Sequence, residues 1–356
     1  MRLLVARRSA TALIAAVAIL VTTLAAPAAH AAPADVTVMT RNLYIGTDLA
    51  PVIAAAQADP ATVPAVAGRA VGNVVHNNFP LRAQAIAAEI DATRPDVIGL
   101  QEVARFLTGP FNAPAPATTP FLDYLEILQA ALATRGLQYA VAVPPRVESD
   151  QELPVALSST DLRDVRLVVS NVVLARADRP HLTVSNAQSG EFTNRLTVLA
   201  QPLRRNWQTV DVTAGGRTFR FLNTHLEASA ANDAVRTLQA RELADGPLRA
   251  NIPVVAVGDF NSNPGSATGA AYAVLTSPSG GKLRDAWTAT HGSDPGVTCC
   301  RGELLSVADD PLDQRIDLVL AGPQVRPKSA AIVGLGQVGG LHPSDHAGVV
   351  ARLRVP

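Results

Sequence analysis

Apolar residues along this chain gather into short β-branched runs, each closed by turn-forming residues, at positions 36–40, 96–100, 139–143, 166–174, 196–201, 218–223, 252–257, 316–320 and 348–353. Such runs predict strands. Apolar residues spaced three and four apart predict helices over 81–90, 122–133, 232–243 and 267–275. Strands interleaved with helices give an α/β class, and strands that are apolar nearly throughout imply a sheet covered on both faces. Two stretches rich in Ala and Pro, 46–79 and 106–120, break the rhythm and read as long surface loops. Such loops either shape substrate choice or are plain solvent-facing excursions. No internal repeat and no linker divides the chain, so one domain is expected over 32–356.

The first residues follow a different pattern. Arg2, Arg7 and Arg8 precede an Ala/Val/Ile/Leu run, and Ala29-His30-Ala31 has the small-x-small form of a cleavage site. That is the shape of a secretory signal peptide over 1–31, so the expectation is export with cleavage near Ala31 and no transmembrane anchor. The whole chain has 30 basic and 30 acidic residues. The leader carries three arginines and no acid, so what remains is three units negative, which argues against a protein that holds nucleic acid through a basic surface. Aromatics at 4% give little support to a track of stacking platforms for single strands. Cys299 and Cys300, the only cysteines, are neighbours, so no multi-bridge framework exists and the core must carry stability. A disulfide between them is a local loop constraint.

Candidate chemistry sits where apolar runs end in polar residues. Residues 96–100 end in Gln101-Glu102, 219–222 in Asn223-Thr224-His225, and 254–257 in Gly258-Asp259-Phe260-Asn261; Asp317 follows Arg315-Ile316, and Ser344-Asp345-His346 precedes the last run. Ligands of α/β sheets bind at strand ends, so these residues can converge. Oxygen donors suit a hard cation and imidazoles suit proton transfer, which together point to phosphate-ester chemistry. Gly334-Leu335-Gly336-Gln337-Val338-Gly339 fits a dinucleotide fingerprint but leads into Gly340-Leu341-His342-Pro343 and no helix, so it is set aside.

As an ordered set, Thr40-Arg41-Asn42-Leu43, Gln101-Glu102-Val103, Asn223-Thr224-His225-Leu226, Gly258-Asp259-Phe260-Asn261, Arg315-Ile316-Asp317 and Ser344-Asp345-His346 resemble the motifs of the endonuclease/exonuclease/phosphatase family, over residues 36–353. That superfamily includes secreted DNases, abasic-site endonucleases, neutral sphingomyelinases and inositol-polyphosphate phosphatases. The resemblance implies a DNase I-like two-sheet α/β sandwich flanked by helices, with the site at one edge. It assigns Glu102, Asn42 and Asp345 to a divalent cation, Mg²⁺ first with Mn²⁺ or Ca²⁺ as alternatives. Asp259 and Asn261 orient or deprotonate the attacking water, and Asn261 also holds a phosphate oxygen. His346 pairs with Asp317, His225 serves the leaving group, and Arg195 matches a phosphate-clamping arginine.

Two departures stand out. Tyr44 occupies a position where the family often has an acid, which puts a second metal site in doubt. The stretch Val169-Ser170-Asn171-Val172, expected to supply a glutamate behind His225, has no carboxylate. The expected activity is hydrolysis of a phosphodiester, in a lipid headgroup or a nucleic acid, by a monomer without a stable protein partner. Phosphomonoester hydrolysis and a non-catalytic binding protein on the same fold are the alternatives.

Overall fold

The computed structural model describes residues 33–356; the leader and its expected cleavage position lie outside them. Seven strands form a first sheet: β1 (Ala34–Asn42), β2 (Val97–Pro110), β3 (Thr119–Asp123), β4 (Tyr139–Ala156), β5 (Leu162–Arg176), β14 (Arg326–Val333) and β15 (Gly348–Val355), in the order β14-β15-β1-β2-β5-β4 with β3 on β2. Six form a second: β6 (Leu182–Glu191), β9 (Asn206–Ala214), β10 (Arg217–His225), β11 (Val254–Asp259), β12 (Arg284–Asp285) and β13 (Asp317–Ala321), in the order β12-β13-β11-β10-β9-β6. A two-stranded ribbon, β7 (Thr197–Val198) and β8 (Gln201–Pro202), stands apart.

Strand alternation sorts the apolar residues into three layers of core. Val36 and Val38 of β1 and Val97 of β2 meet Phe219, Phe221, Val255 and Val257 of the second sheet between the two sheets. Their strand neighbours Met39, Ile98 and Leu100 face the other way, into α3 (Phe79–Thr93) and α4 (Tyr124–Thr134). Leu222, Ala256 and Leu318 likewise face α5 (Asp233–Asp245) and α6 (Ala270–Thr276). Because each sheet is covered on both faces, its central strands carry apolar residues on both sides, and this explains the unbroken apolar runs. The single-domain, two-sheet sandwich flanked by helices is therefore present.

The Ala/Pro-rich stretch 46–79 is not a loop. It forms α1 (Ala50–Ala58), a short 3-10 turn, α2 (Val63–His76) and the start of α3. Alanine favours helix, and Pro51, Pro64 and Pro80 each stand in a first helical turn, where proline's missing N–H costs nothing. The stretch 106–120 also shrinks: β2 runs through to Pro110 and β3 starts at Thr119, leaving 111–118 irregular. The strand expected over 196–201 is broken by Leu199 and Ala200, both with positive φ, into β7 and β8. Strands β9 and β14 and edge strand β6, exposed along most of its length with only Leu182 and Val184 as large apolar residues, lie outside the predicted runs. The glycine run 334–339 joins β14 to β15 and opens no helix. A short α7 (Ala286–His291) completes the helices.

Candidate active site

Strand register assembles the site. β10 and β11 run parallel with His225 opposite Asp259, and β13 runs antiparallel to β11 with Asp317 opposite Asp259. His225, Asp259 and Asp317 thus form one row across three strands at one end of the second sheet. In the first sheet, β1 and β2 are parallel with Asn42 opposite Gln101, so Asn42 and Glu102 stand at the matching end. Glycines permit this approach. A Cβ on Gly99 would fall 2.4 Å from Asn223 Oδ1, and one on Gly258 would fall 2.1 Å from the Thr224 carbonyl oxygen. Asn223 ties the sheets instead, accepting from Gln101 Nε2 at 2.7 Å and donating to the Leu100 carbonyl at 3.1 Å.

Glu102 reaches the site through a β-bulge. Pairing of β2 with β5 shifts between Leu100 and Val103, and Glu102 takes a φ of 54°. The extra residue turns its side chain out of the strand pattern. Its Oε2 accepts from the Ile45 amide at 2.9 Å and its Oε1 from Asn42 Nδ2 at 3.1 Å. Asn42 Nδ2 also donates to Asp259 Oδ2 at 3.2 Å, while Asn42 Oδ1 accepts from the Tyr44 amide. Asn42 therefore bridges two carboxylates with its nitrogen and accepts from the Tyr44 amide with its oxygen. Asp259 Oδ1 accepts from the Asn261 amide at 2.9 Å, and Asn261 Nδ2 donates to the Leu226 carbonyl at 3.0 Å.

Both histidines face Asp259. His346 Nδ1 is 2.8 Å from Asp317 Oδ2, and its Nε2 is 3.8 Å from Asp259 Oδ2 and 3.9 Å from Asp345 Oδ1. Burial opposes its protonation, but Asp317, Asp345 and Asp259 outweigh burial and raise its pKa well above the usual imidazole value. His225 Nε2 lies 3.5 Å from Asp259 Oδ2. Behind it, Nδ1 lies 3.2 Å from Glu148 Oε2, so the missing carboxylate comes from β4, one strand beyond the stretch 169–172. Glu148 sits at a second bulge, where β4–β5 pairing shifts between Val147 and Ser149. Arg205 Nη1 lies 3.1 Å from Glu148 Oε2 and 2.6 Å from His225 Nδ1. A protonated His225 donates a hydrogen bond from Nδ1 to Glu148, whose Oε2 also accepts from Arg205. Burial and Arg205 push the His225 pKa down; Glu148 and Asp259 more than offset them and raise it.

The remaining expected residues divide. Burial pushes the Asp345 carboxyl up to about 6; His346 pulls it back, and the charge of Glu102 adds to the rise. Two carboxylates that feel each other's charge are the donor chemistry of a hard-ion site, so Glu102 and Asp345 fit a divalent cation. Asp259, Asp317 and His346 form a second group close enough to hold an ion. There the His346 Nδ1 is held by Asp317 and its Nε2 faces Asp259. Arg195 does not join the cluster: it is exposed and pairs with Glu191 at 3.2 Å. Arg205 is the arginine against His225, a place no spacing in the sequence marks. Cys299 and Cys300 form a disulfide, and Cys299 Sγ lies 3.5 Å from His346 Nε2, packing the bridge against the site.

No curated protein matches this chain. Among solved structures, an endonuclease/exonuclease/phosphatase from Beutenbergia cavernae is 25% identical with a TM-score of 0.57, over 90% of this chain and 72% of that one. D. rerio TDP2, complexed with a single-strand DNA product, shares the fold at 16% identity and a TM-score of 0.52, over 90% and 98%. A mannosyl-6-phosphatase of Bacteroides thetaiotaomicron does so at 17% and 0.54, over 89% and 99%. The sequence profile of the endonuclease/exonuclease/phosphatase family matches residues 73–346, most of the chain. With His225, Asp259, Asp317 and His346 gathered at one sandwich edge, this chain belongs to the endonuclease/exonuclease/phosphatase family of phosphoesterases.

Proposed function

We propose that this protein is an exported, divalent-cation-dependent hydrolase of phosphodiesters. The observation that carries the reading is the convergence of two buried imidazoles with raised pKa values on one carboxylate, Asp259. Asp259 is fixed by Asn42 and Asn261, so its Oδ2 is placed to orient a water and take its proton. The water oxygen attacks phosphorus as the ester P–O bond opposite it breaks. His346, steadied by Asp317, offers its Nε2 proton to a phosphoryl oxygen. His225, steadied by Glu148, gives its proton to the leaving oxygen. One Asn261 N–H is used by Leu226, and the second is left for a phosphoryl oxygen. A cation held by Glu102 and Asp345 would draw charge from the phosphoryl group.

Export rests on the leader and its Ala29-His30-Ala31 end. Among the described residues no helix is long and apolar enough to cross a membrane. The first test is hydrolysis of bis-p-nitrophenyl phosphate by protein starting at Ala32, with Mg²⁺, Mn²⁺, Ca²⁺ or EDTA, and p-nitrophenyl phosphate alongside. The expected result is turnover of the diester that EDTA abolishes. Turnover confined to the monoester would replace the diesterase reading, and no turnover of either by folded, cation-supplied protein would remove it. Asp259→Asn and His346→Ala are each expected to lower kcat by about 10²–10⁴-fold with unchanged circular dichroism. A near-normal rate in either would withdraw its assigned role.

A further inference from the structure

A cavity of about 780 Å³ opens beside the catalytic cluster, and its wall is largely hydrocarbon. α1 and α2 form one side; the long β4–β5 hairpin, β2 and the β7–β8 ribbon form the other, with Ile53, Ala70, Val71, Phe106, Leu153 and Leu167 among the facing side chains. Its smaller polar lining includes Glu102, Arg205, His225 and Asp345 of the site, with Asp48 and Glu303 at the α1 side. The two helices lie in the connection that leaves β1 after Asn42 and, through α3, reaches β2 ahead of Glu102, so the segment that walls the cavity also brackets the site. α2 is held close: a Cβ on Gly68 would fall 2.2 Å from the Ala156 carbonyl oxygen of β4.

Water in such a space finds few partners, whereas an apolar group gains by leaving water for it. The space is continuous with the place where phosphorus must sit, so its occupant is part of the substrate. Its size suits a drug-sized or longer organic group. The nearby exposed arginines do not form a phosphate track, since Arg146, Arg195 and Arg204 all turn to the one carboxylate of Glu191. His225 lines the cavity and Asp259 and His346 do not, which sets the cavity on the leaving-group side.

We infer that the substrate is a lipid phosphodiester whose alkyl or acyl chain enters this cavity and departs with the leaving oxygen. The inference rests on the phosphodiesterase reading above. Water adds to phosphorus, the P–O bond to the lipid alcohol breaks, His225 supplies the alcohol's proton, and the headgroup leaves as a phosphomonoester.

The test is a series of methyl 4-alkylphenyl phosphates with methyl, butyl and octyl chains, below their micelle concentrations. Leaving-group acidity is nearly constant along this series, so differences in rate report burial of the chain. The expected kcat/KM rises by up to about fourfold per methylene and by at least about 100-fold from methyl to octyl. In Ala70→Trp the octyl-to-methyl ratio should collapse toward one; Leu153→Gln replaces it if that variant does not fold. A flat wild-type series with the methyl member still cleaved overturns the lipid inference and leaves the diesterase reading standing. Failure to cleave even the methyl member sinks the diesterase reading itself. Faster turnover of a single-stranded or duplex oligonucleotide than of the octyl ester also overturns the inference.

Discussion

Glu148 keeps its charge beneath a histidine without access to water. Burial opposes its ionisation, but His225, Arg205 and Asn171 outweigh burial and hold its pKa below the usual carboxylate value. Burial and Arg205 press the His225 pKa down, but Glu148 and Asp259 outweigh them and raise it, so His225 stays protonated, and able to donate, to higher pH than a free imidazole. Activity that needs this proton is present below the raised pKa and is lost as pH rises through it. Glu148→Gln removes the charge that raises it, while burial and Arg205 still push down. The alkaline limb of the kcat/KM profile is therefore expected to move to lower pH, with the acid limb in place. Profiles that superimpose would show that Glu148 does not set the His225 proton. Arg205 should stay ordered in this variant through Glu227, 3.9 Å from its Nε.

Elements hold the site where strand ends alone would not. Arg82 of α3 is fully buried and donates to the carbonyls of Leu43, Tyr44, Asn77 and Pro343, tying the segment after Asn42 to the loop that carries Asp345. Charged hydrogen bonds of this kind are worth about 1.5–3 kcal/mol each, and the carbonyls would lose their donor together. Arg82→Met is expected to lower unfolding free energy by at least about 3 kcal/mol in urea and to weaken cation activation; an unchanged midpoint would show that water replaces the guanidinium. None of this was legible in the sequence, where Arg82 is one basic residue in a helical pattern. What was legible is the set of strand ends, because an apolar run stopping at Asn-Thr-His or Gly-Asp-Phe-Asn is a local signal. Bulges hide from such a reading. Gln101-Glu102 looks like a terminus although β2 continues to Pro110, and Glu148 lies within a strand whose pairing slips by one residue. The helices α1 and α2 were obscured because proline in a first turn reads like proline in a loop.

Across the whole molecule, the site joins residues far apart in the chain, with Glu102 on a bulge of the first sheet and Asp345 just ahead of β15. Folding brings their like charges together, and the rise of Asp345 to about 6 records part of that cost. A cation bound only by the folded chain offsets it and adds stability by mass action, about 2.7 kcal/mol at a hundredfold excess over Kd. Unfolding temperature in Mg²⁺ is therefore expected to exceed that in EDTA by several degrees, with no substrate present. The increment locates the ion as well as detecting it. If Glu102 and Asp345 hold the cation, Glu102→Gln removes the increment and Asp317→Asn keeps it, even though both variants lose activity. If the increment survives Glu102→Gln and disappears in Asp317→Asn, the ion sits among Asp259, Asp317 and His346 instead. His346 would then be a ligand that cannot also donate its proton to phosphate, and the division of labour between the two sides of the sandwich edge would have to be reversed.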